Sequence, residues 1–65
     1  MLDDVQALAM KIRLSDTWVF EDLDKLCWYA GLSQEFRETV GSAGLLAGRR
    51  VALDAADILG VEIII

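Results

Sequence analysis

Thr17–Leu32 reads TWVFEDLDKLCWYAGL and holds both tryptophans, the single tyrosine and the single cysteine of the chain. Its apolar side chains recur at the three- and four-residue spacing that places them on one face of a helix. These residues are Leu23, Leu26, Cys27 and Ala30, and Val19 and Phe20 extend the stripe toward the N-terminus. The pattern predicts a central helix against which the rest of the chain packs.

The same helix carries an acidic ridge of Glu21, Asp22 and Asp24 away from the apolar stripe. Side chains three and four residues apart lie about 5–6 Å from one another on a helix surface. One interpretation is a solvated face with a favourable pair between Glu21 and Lys25. The other is a row of carboxylates that enters an arginine and lysine groove of a partner in place of phosphates. Asp16, Asp3 and Asp4 extend this row if the first helix packs antiparallel to the central helix.

The aromatic side chains of this stretch also have two interpretations. Trp18, Trp28 and Tyr29 lie in one helix, and they cannot all share the face of Leu23 and Cys27. In one interpretation, core packing alone accounts for them. The alternative is a recognition patch, because aromatic residues are enriched in buried interfaces.

Length and composition favour contact with another chain. A chain of 65 residues forms one domain, and at this size folding buries only about 60% of the surface that the unfolded chain exposes. With no histidine and a single cysteine, Cys27, neither a zinc site of four Cys and His ligands nor an intrachain disulfide can stabilise the fold. The hydrophobic fraction of 55% exceeds the roughly 45–50% of average domains. We therefore expect part of the apolar surface to lie in an interface.

The net charge of −5, from eleven Asp and Glu against six Lys and Arg, argues against direct binding to nucleic acid or to anionic membranes. A basic partner is favoured instead. The uncharged apolar runs are too short to span a bilayer, and Asp3 and Asp4 do not fit a secretory leader. We expect a soluble cytoplasmic protein with a reduced cysteine.

Three further helices are predicted. The first covers residues 2–14, with acidic residues in its first turn and basic residues in its last. Ser15, Asp16 and Thr17 are candidate N-caps of the central helix, and Gly31 is its predicted C-terminal cap, with Leu32 folding back on Cys27. Ser33 is the candidate cap of a third helix, which has an apolar side and a polar side. Phe36, Val40 and Ala43 form the apolar side, and Glu35, Arg37 and Glu38 form the polar one.

The last third of the chain is predicted to form a helix and a strand. Glycines at 41, 44 and 48 predict a break near Gly41–Gly44, followed by a helix over Leu45–Leu59 that Gly60 ends. Val61–Ile65 is β-branched except for Glu62 and predicts a strand. Its partner would be Thr17–Phe20, Arg49–Leu53 or a second copy across a two-fold axis. The predicted fold is mainly α, a compact domain of three to four helices with a short C-terminal β-strand; the alternative is α+β with a small C-terminal hairpin.

Residues suited to catalysis are not arranged for it. Cys27 has no histidine to activate it and lies on the apolar stripe. Ser15, Ser33 and Ser42 fit helix caps, and a chain this short offers no deep pocket to shift the pKa of Asp22 or Asp24. The glycines match neither nucleotide-binding spacing. We expect a non-enzymatic protein without a metal or a cofactor.

A helix-turn-helix is a further interpretation of the central helix, the turn at Gly31 and the third helix. Its reading helix would be Gln34–Thr39, which contains two glutamates and one arginine. Net negative charge opposes binding to a duplex. A small DNA-binding regulator is therefore the least favoured of the functions considered.

The chain resembles the very short, acidic, single-domain proteins that bacteriophages and other mobile elements encode to block host machinery, anti-CRISPR inhibitors among them. The features that carry this resemblance are the short length, the absence of a catalytic set and six acidic residues: Asp16, Glu21, Asp22, Asp24, Glu35 and Glu38. The resemblance implies stoichiometric binding in the cytoplasm of a bacterial host, at a basic nucleic-acid groove of a protein or protein–nucleic acid complex. The net charge is modest for a nucleic-acid mimic, so steric blocking through Trp18, Trp28 and Tyr29 is an equal alternative. A homodimeric structural or antitoxin-like protein, joined through Val61–Ile65, is the second hypothesis.

Overall fold

The computed structural model describes residues 2–61, with the side chains described from residue 4 onward. This part of the chain forms four helices and contains no strand. They are α1 (Leu2–Leu14), α2 (Phe20–Tyr29), α3 (Ser33–Ala43) and α4 (Leu45–Ile58). Both α2 and α4 pack against all three of the other helices.

The core is narrow because small residues fill much of it. Its largest fully buried side chains are Phe36, Ile12, Leu23, Leu26 and Cys27. The stripe predicted for the central helix supplies three of these, and α4 contributes alanines together with Gly48. Small side chains let the helix axes approach closely, but they bury little apolar area.

The start of α2 differs from the prediction. The helix begins at Phe20, with Val19 at the N-cap position in an extended conformation. The Val19 N–H donates to Asp22 Oδ2 at 3.1 Å. None of the three predicted caps donates or accepts a capping hydrogen bond at the start of α2. The Ser15 hydroxyl instead contacts the Thr17 hydroxyl at 2.6 Å and accepts the Thr17 N–H. These residues stabilise their own turn instead, as short hydroxyl side chains do in loops.

The end of α2 confirms the predicted cap. Gly31 has a φ of +77°, its N–H donates to the Trp28 carbonyl, and the Leu32 N–H donates to the Cys27 carbonyl at 2.8 Å. This pair of bonds is the Schellman motif. The predicted break is also confirmed, because Gly44, with a φ of +97°, alone separates α3 from α4.

The end of α4 repeats the same cap and corrects the predicted strand. Gly60 has a φ of +71°, and the Val61 N–H donates to the Ala56 carbonyl at 3.1 Å. Val61 is buried, so it is the apolar residue that closes a helix cap rather than the first residue of a strand.

The strand and the alternative C-terminal hairpin are therefore wrong for the part of the chain that the structure describes. Of the two candidate partners within the chain, Arg49–Leu53 lies inside α4, and Thr17–Phe20 is a loop followed by the first residue of α2. The remaining strand residues, 62–65, lie outside the described residues. So does most of the Val61–Ile65 segment proposed for a dimer.

Candidate interaction surfaces

Asp24 ties α2 to α3. Its carboxylate accepts two hydrogen bonds from Arg37, with Nη2–Oδ2 at 2.6 Å and Nε–Oδ1 at 3.1 Å, and a third from the Ser33 hydroxyl at 2.8 Å. The bonds from Arg37 are the main reason that the pKa of Asp24 lies below its usual value of 3.8; partial burial opposes this shift, and Ser33 adds to it. Ser33 is the first residue of α3 and binds Asp24 rather than capping its own helix.

Asp22 ties α2 to α1. Its Oδ2 atom lies 2.9 Å from Lys11 Nζ and accepts the Val19 N–H. Partial burial alone would raise the pKa of Asp22, but these hydrogen bonds and the lysine charges outweigh it and lower the pKa. Two of the three carboxylates of the acidic ridge are thus engaged within the fold.

The other acidic residues assigned to partner binding are exposed and make no ion pair with the residues that the structure describes. They are Asp16 in the α1–α2 loop, Glu21 in the first turn of α2, and Glu35 and Glu38 on α3. Glu38 accepts a hydrogen bond from Gln34 at 3.3 Å. The structure therefore places four carboxylates without an ion pair on several elements rather than in one row.

Trp28 and Tyr29 differ in environment although they are adjacent. Tyr29 packs against the core, whereas 67% of Trp28 is exposed. The two rings meet edge to face with centroids 5.4 Å apart. Helical spacing places Glu21, Lys25 and Trp28 together on the outer face of α2, and this face with the outer residues Glu35 and Glu38 of α3 is called the Trp28 surface below.

Trp18 is half-buried and lies in the loop before α2, so the prediction that it shares one helix with Trp28 and Tyr29 is wrong. The Arg49 guanidinium carbon lies 6.0 Å from the centre of its ring, within the range of a cation–π contact. Arg49 also donates to the Ile12 carbonyl at 3.0 Å, so it satisfies the C-terminus of α1. The role of Arg49 is not predictable from the sequence, because nothing in the local pattern of α4 shows that this side chain reaches another helix.

Large apolar side chains are exposed where α1 ends and where α2 and α4 begin. They are Leu14, Val19, Phe20, Leu45 and Leu46, with exposed fractions from 37% to 77%. Two contacts connect these elements: Arg49 bridges α1, Trp18 and α4, and the Phe20 ring lies 5.3 Å from that of Phe36, which packs on Gly48. We call these five residues the apolar end. Sequence analysis missed Leu14, Leu45 and Leu46, although Leu45 and Leu46 fall side by side directly after a helix-breaking glycine.

A shallow groove of about 410 Å³ runs between α1 and α2. Its lining is Asp4, Ala7, Leu8, Lys11, Asp22, Lys25 and Tyr29. Lys11 and Asp22 pair with each other, which leaves one exposed lysine and one exposed aspartate facing the solvent. The groove is open and balanced in charge, so it does not favour one class of ligand.

Cys27 is fully buried on the core face of α2. Burial, together with the negative charges of Asp24 and Glu35, raises the pKa of its thiol to about 11. Within residues 2–61, no three His, Cys, Asp or Glu side chains converge on a point that could hold a metal ion. In the same range, no helix combines the length and the hydropathy needed to cross a membrane.

Comparison with protein-family models, with curated proteins and with solved structures gives no match for this chain.

Proposed function

We propose that this protein is a non-enzymatic binding protein that covers a basic surface of another macromolecule with its Trp28 surface. The observation that carries the proposal is the exposure of Trp28, at 67%, on a helix face that also carries the exposed carboxylate of Glu21. An indole left in water is costly, and tryptophan is among the residues that most often dominate binding energy when a partner encloses it.

Electrostatics indicates the sign of the partner. Lys11, Arg13 and Arg37 are engaged by Asp22, Asp57 and Asp24 within the fold. Arg49 is engaged by the C-terminus of α1. Among the described residues, Lys25 on the Trp28 surface and Arg50 are the exposed cations without an ion pair, and the carboxylates without one, Glu21, Glu35 and Glu38 included, outnumber them. The field outside the protein is therefore negative. Such a field steers the protein toward positive surfaces.

The resemblance to short phage-encoded inhibitors makes the proposal more specific. The partner would be a host protein or protein–nucleic acid complex whose arginines and lysines normally hold nucleic acid, and the inhibitor would act by occupying them. Asp22 and Asp24 are engaged within the fold, so we assign the contact to Trp28 together with the exposed Glu21, Glu35 and Glu38. This assignment favours steric blocking with charge assistance over mimicry of a phosphate row.

The helix-turn-helix alternative is less well supported. The outer face of α3 presents Gln34, Glu35 and Glu38, and two carboxylates on the reading helix would be repelled by phosphates. The alternative of a homodimeric interaction protein has an observation in its favour, the apolar end, which is a different surface from the Trp28 surface.

Capture from a bacterial host lysate tests the proposal with matched variants. Immobilised wild-type protein should retain a nucleic-acid-binding protein, and Trp28→Ala should lose it. Ile58→Ala is the control, because Ile58 is exposed to nearly the same extent, 66% against 67%, and lies on α4. Circular dichroism should show the same helix content for all three proteins.

Two further measurements distinguish the proposed mode of binding. Added nucleic acid should compete with the captured protein, and rising salt should weaken the complex because surface charges are screened. Charge reversal of Glu21, Glu35 and Glu38 should weaken binding while the fold survives. Retention by Trp28→Ala equal to that by wild type would reject the assignment of the surface, and indifference to salt and nucleic acid would reject the basic partner.

A further inference from the structure

The apolar end is an unusual concentration of uncovered hydrophobic surface. Seven large apolar side chains are exposed among the described residues, and five of them belong to this one end. The other two, Trp28 and Ile58, lie on other parts of α2 and α4. Scattered apolar residues are normal on a protein surface, but a cluster marks an interaction site.

The stability of the fold would increase with such a contact. It has no disulfide, and its core relies on Ala9, Ala52, Ala55, Ala56 and Gly48. Chains of this length bury too little apolar area for a large margin of stability, and subunit association is a common solution. A molecule that covers the apolar end would bury additional apolar surface and so stabilise the fold.

The charged residues around the apolar end indicate which kind of molecule covers it. Asp16 lies in the loop between Leu14 and Val19, and it is exposed. Arg50 is also exposed and follows Leu46 by one helical turn on the same side of α4. The exposed charged residues next to the apolar end thus include the acidic residues Asp16 and Glu21 and the basic residue Arg50, so the rim carries both signs of charge. A strongly basic partner would match only one of these signs.

We propose that the apolar end is the interface of a symmetric dimer of this chain. A two-fold axis through the patch brings the same surface of both copies together. It also places Asp16 of one copy toward Arg50 of the other, so that opposite charges meet at both edges. The apolar end and the Trp28 surface share no residue, so the dimer leaves two Trp28 surfaces free.

The dimer should be reversible. Five side chains per copy make an interface at the small end of the known range, and the net charge of −5 on each copy opposes association at low salt. We expect a dissociation constant in the micromolar range and a dimer that grows stronger as salt screens the net repulsion. This salt dependence is opposite to that expected of the complex with a basic partner.

Sedimentation of the wild-type chain from micromolar to millimolar concentration tests the proposal. The wild type should convert from monomer to dimer over this range, and Leu46→Glu should stay monomeric throughout. Ile58→Glu is the matched control and should dimerise like wild type, because Ile58 is a comparably exposed residue of the same helix. A wild type that remains monomeric at millimolar concentration, or equal loss in both variants, overturns the proposal.

Three additional proteins decide between this interface and others. Asp16→Arg should weaken the dimer, and Asp16→Arg combined with Arg50→Asp should restore it; absence of restoration overturns the two-fold arrangement. A chain ending at Val61 keeps the cap of α4 and removes residues 62–65. It should dimerise as the full chain does, and loss of the dimer would assign the interface to the C-terminal segment instead.

Discussion

Gly48 lies directly against the ring of Phe36 where α4 crosses α3. A Cβ atom added at residue 48 would lie 2.6 Å from Phe36 Cε2 and would also overlap Val40 Cγ2. Glycine is unfavourable in the middle of a helix, so its presence in α4 is explained by this close approach rather than by the backbone of its own helix.

Gly48→Ala should therefore destabilise the protein. Alanine favours the helix by about 0.8–1 kcal/mol over glycine, but both Phe36 and Val40 are side chains of a packed core and have little room to move. Overpacking of this kind costs about 1–3 kcal/mol. We expect a net loss in the free energy of unfolding, measured by urea denaturation with the m-value unchanged.

Gly41→Ala provides the control on the neighbouring helix. Gly41 lies inside α3, has no positive φ, and a Cβ there would meet nothing within 4 Å. The same substitution should stabilise the protein by up to about 1 kcal/mol. Equal effects of the two alanines would contradict the close approach at Gly48.

Asp24 should make the stability of the fold depend on pH in the acid range. Its pKa in the folded protein is lowered by Arg37 below the usual value of 3.8. A carboxyl group with a lowered folded pKa contributes stability above its unfolded pKa and loses it as pH falls through the folded pKa. We expect the thermal midpoint to fall as pH decreases below about 4, with Asp22 acting in the same direction.

Asp24→Asn should lower the thermal midpoint at pH 7 and flatten its decline in acid. Glu21→Gln is the matched control, since Glu21 is an exposed carboxylate of the same helix without an ion pair to a described residue, and it should change neither. A wild-type midpoint that is constant from pH 6 to about 3 would show that the contacts of Asp24 and Asp22 do not stabilise the fold.

The sequence predicts helices well where periodicity and caps agree. The stripe of Leu23, Leu26 and Cys27 gives the buried face of α2, and Gly31 gives its end. Prediction from the sequence fails where a residue can form either of two contacts of similar energy. Ser33 has the chemistry of an N-cap but binds Asp24, and the β-branched residues after Gly60 have strand propensity, yet Val61 completes a helix cap. Tertiary contacts decide such cases, and one sequence does not contain them.

The candidate surfaces show the same limit. A helical wheel places Asp22 and Asp24 outside the apolar stripe of α2, which is correct, but it does not reveal that Lys11 and Arg37 approach from two other helices. The sequence leaves open whether Trp28 packs in the core or is exposed, because it does not show which residues lie next to Trp28 across the turn. The apolar end forms where the end of α1 and the starts of α2 and α4 lie together, so no single stretch of sequence predicts it.

Gly60 and Val61 should both matter to the stability of α4. Gly60→Ala places a Cβ in a backbone with a φ of +71° and should cost about 1–2 kcal/mol. Because nothing lies within 4 Å of that added atom, the cost comes from the backbone alone. Val61→Ala removes buried methyl groups and should cost about 1–2 kcal/mol at roughly 0.8 kcal/mol per group.

Ile58→Ala serves as the control for these two substitutions, since Ile58 is 66% exposed at the end of the same helix. Its free energy of unfolding should lie within about 0.5 kcal/mol of wild type, as for most surface changes. If Val61→Ala were equally neutral, Val61 would not be packed in the core, and the C-terminal cap described here would be wrong.

Cys27 should be almost unreactive in the folded protein. Its side chain is fully buried and its pKa is raised to about 11 by burial and by nearby carboxylates. The thiolate is the reactive form, and a thiol with this pKa is ionised in only about one molecule in a thousand at pH 8. A reagent can also reach the buried thiol only when the fold opens.

A thiol reagent such as iodoacetamide should modify Cys27 rapidly in urea and more than about a hundredfold more slowly in buffer. A Cys27→Ala chain that carries Ser42→Cys on the exposed side of α3 should react quickly in both conditions. Stoichiometric labelling of the wild type in buffer at the rate of that control would show that Cys27 is accessible and that the core face of α2 is not closed.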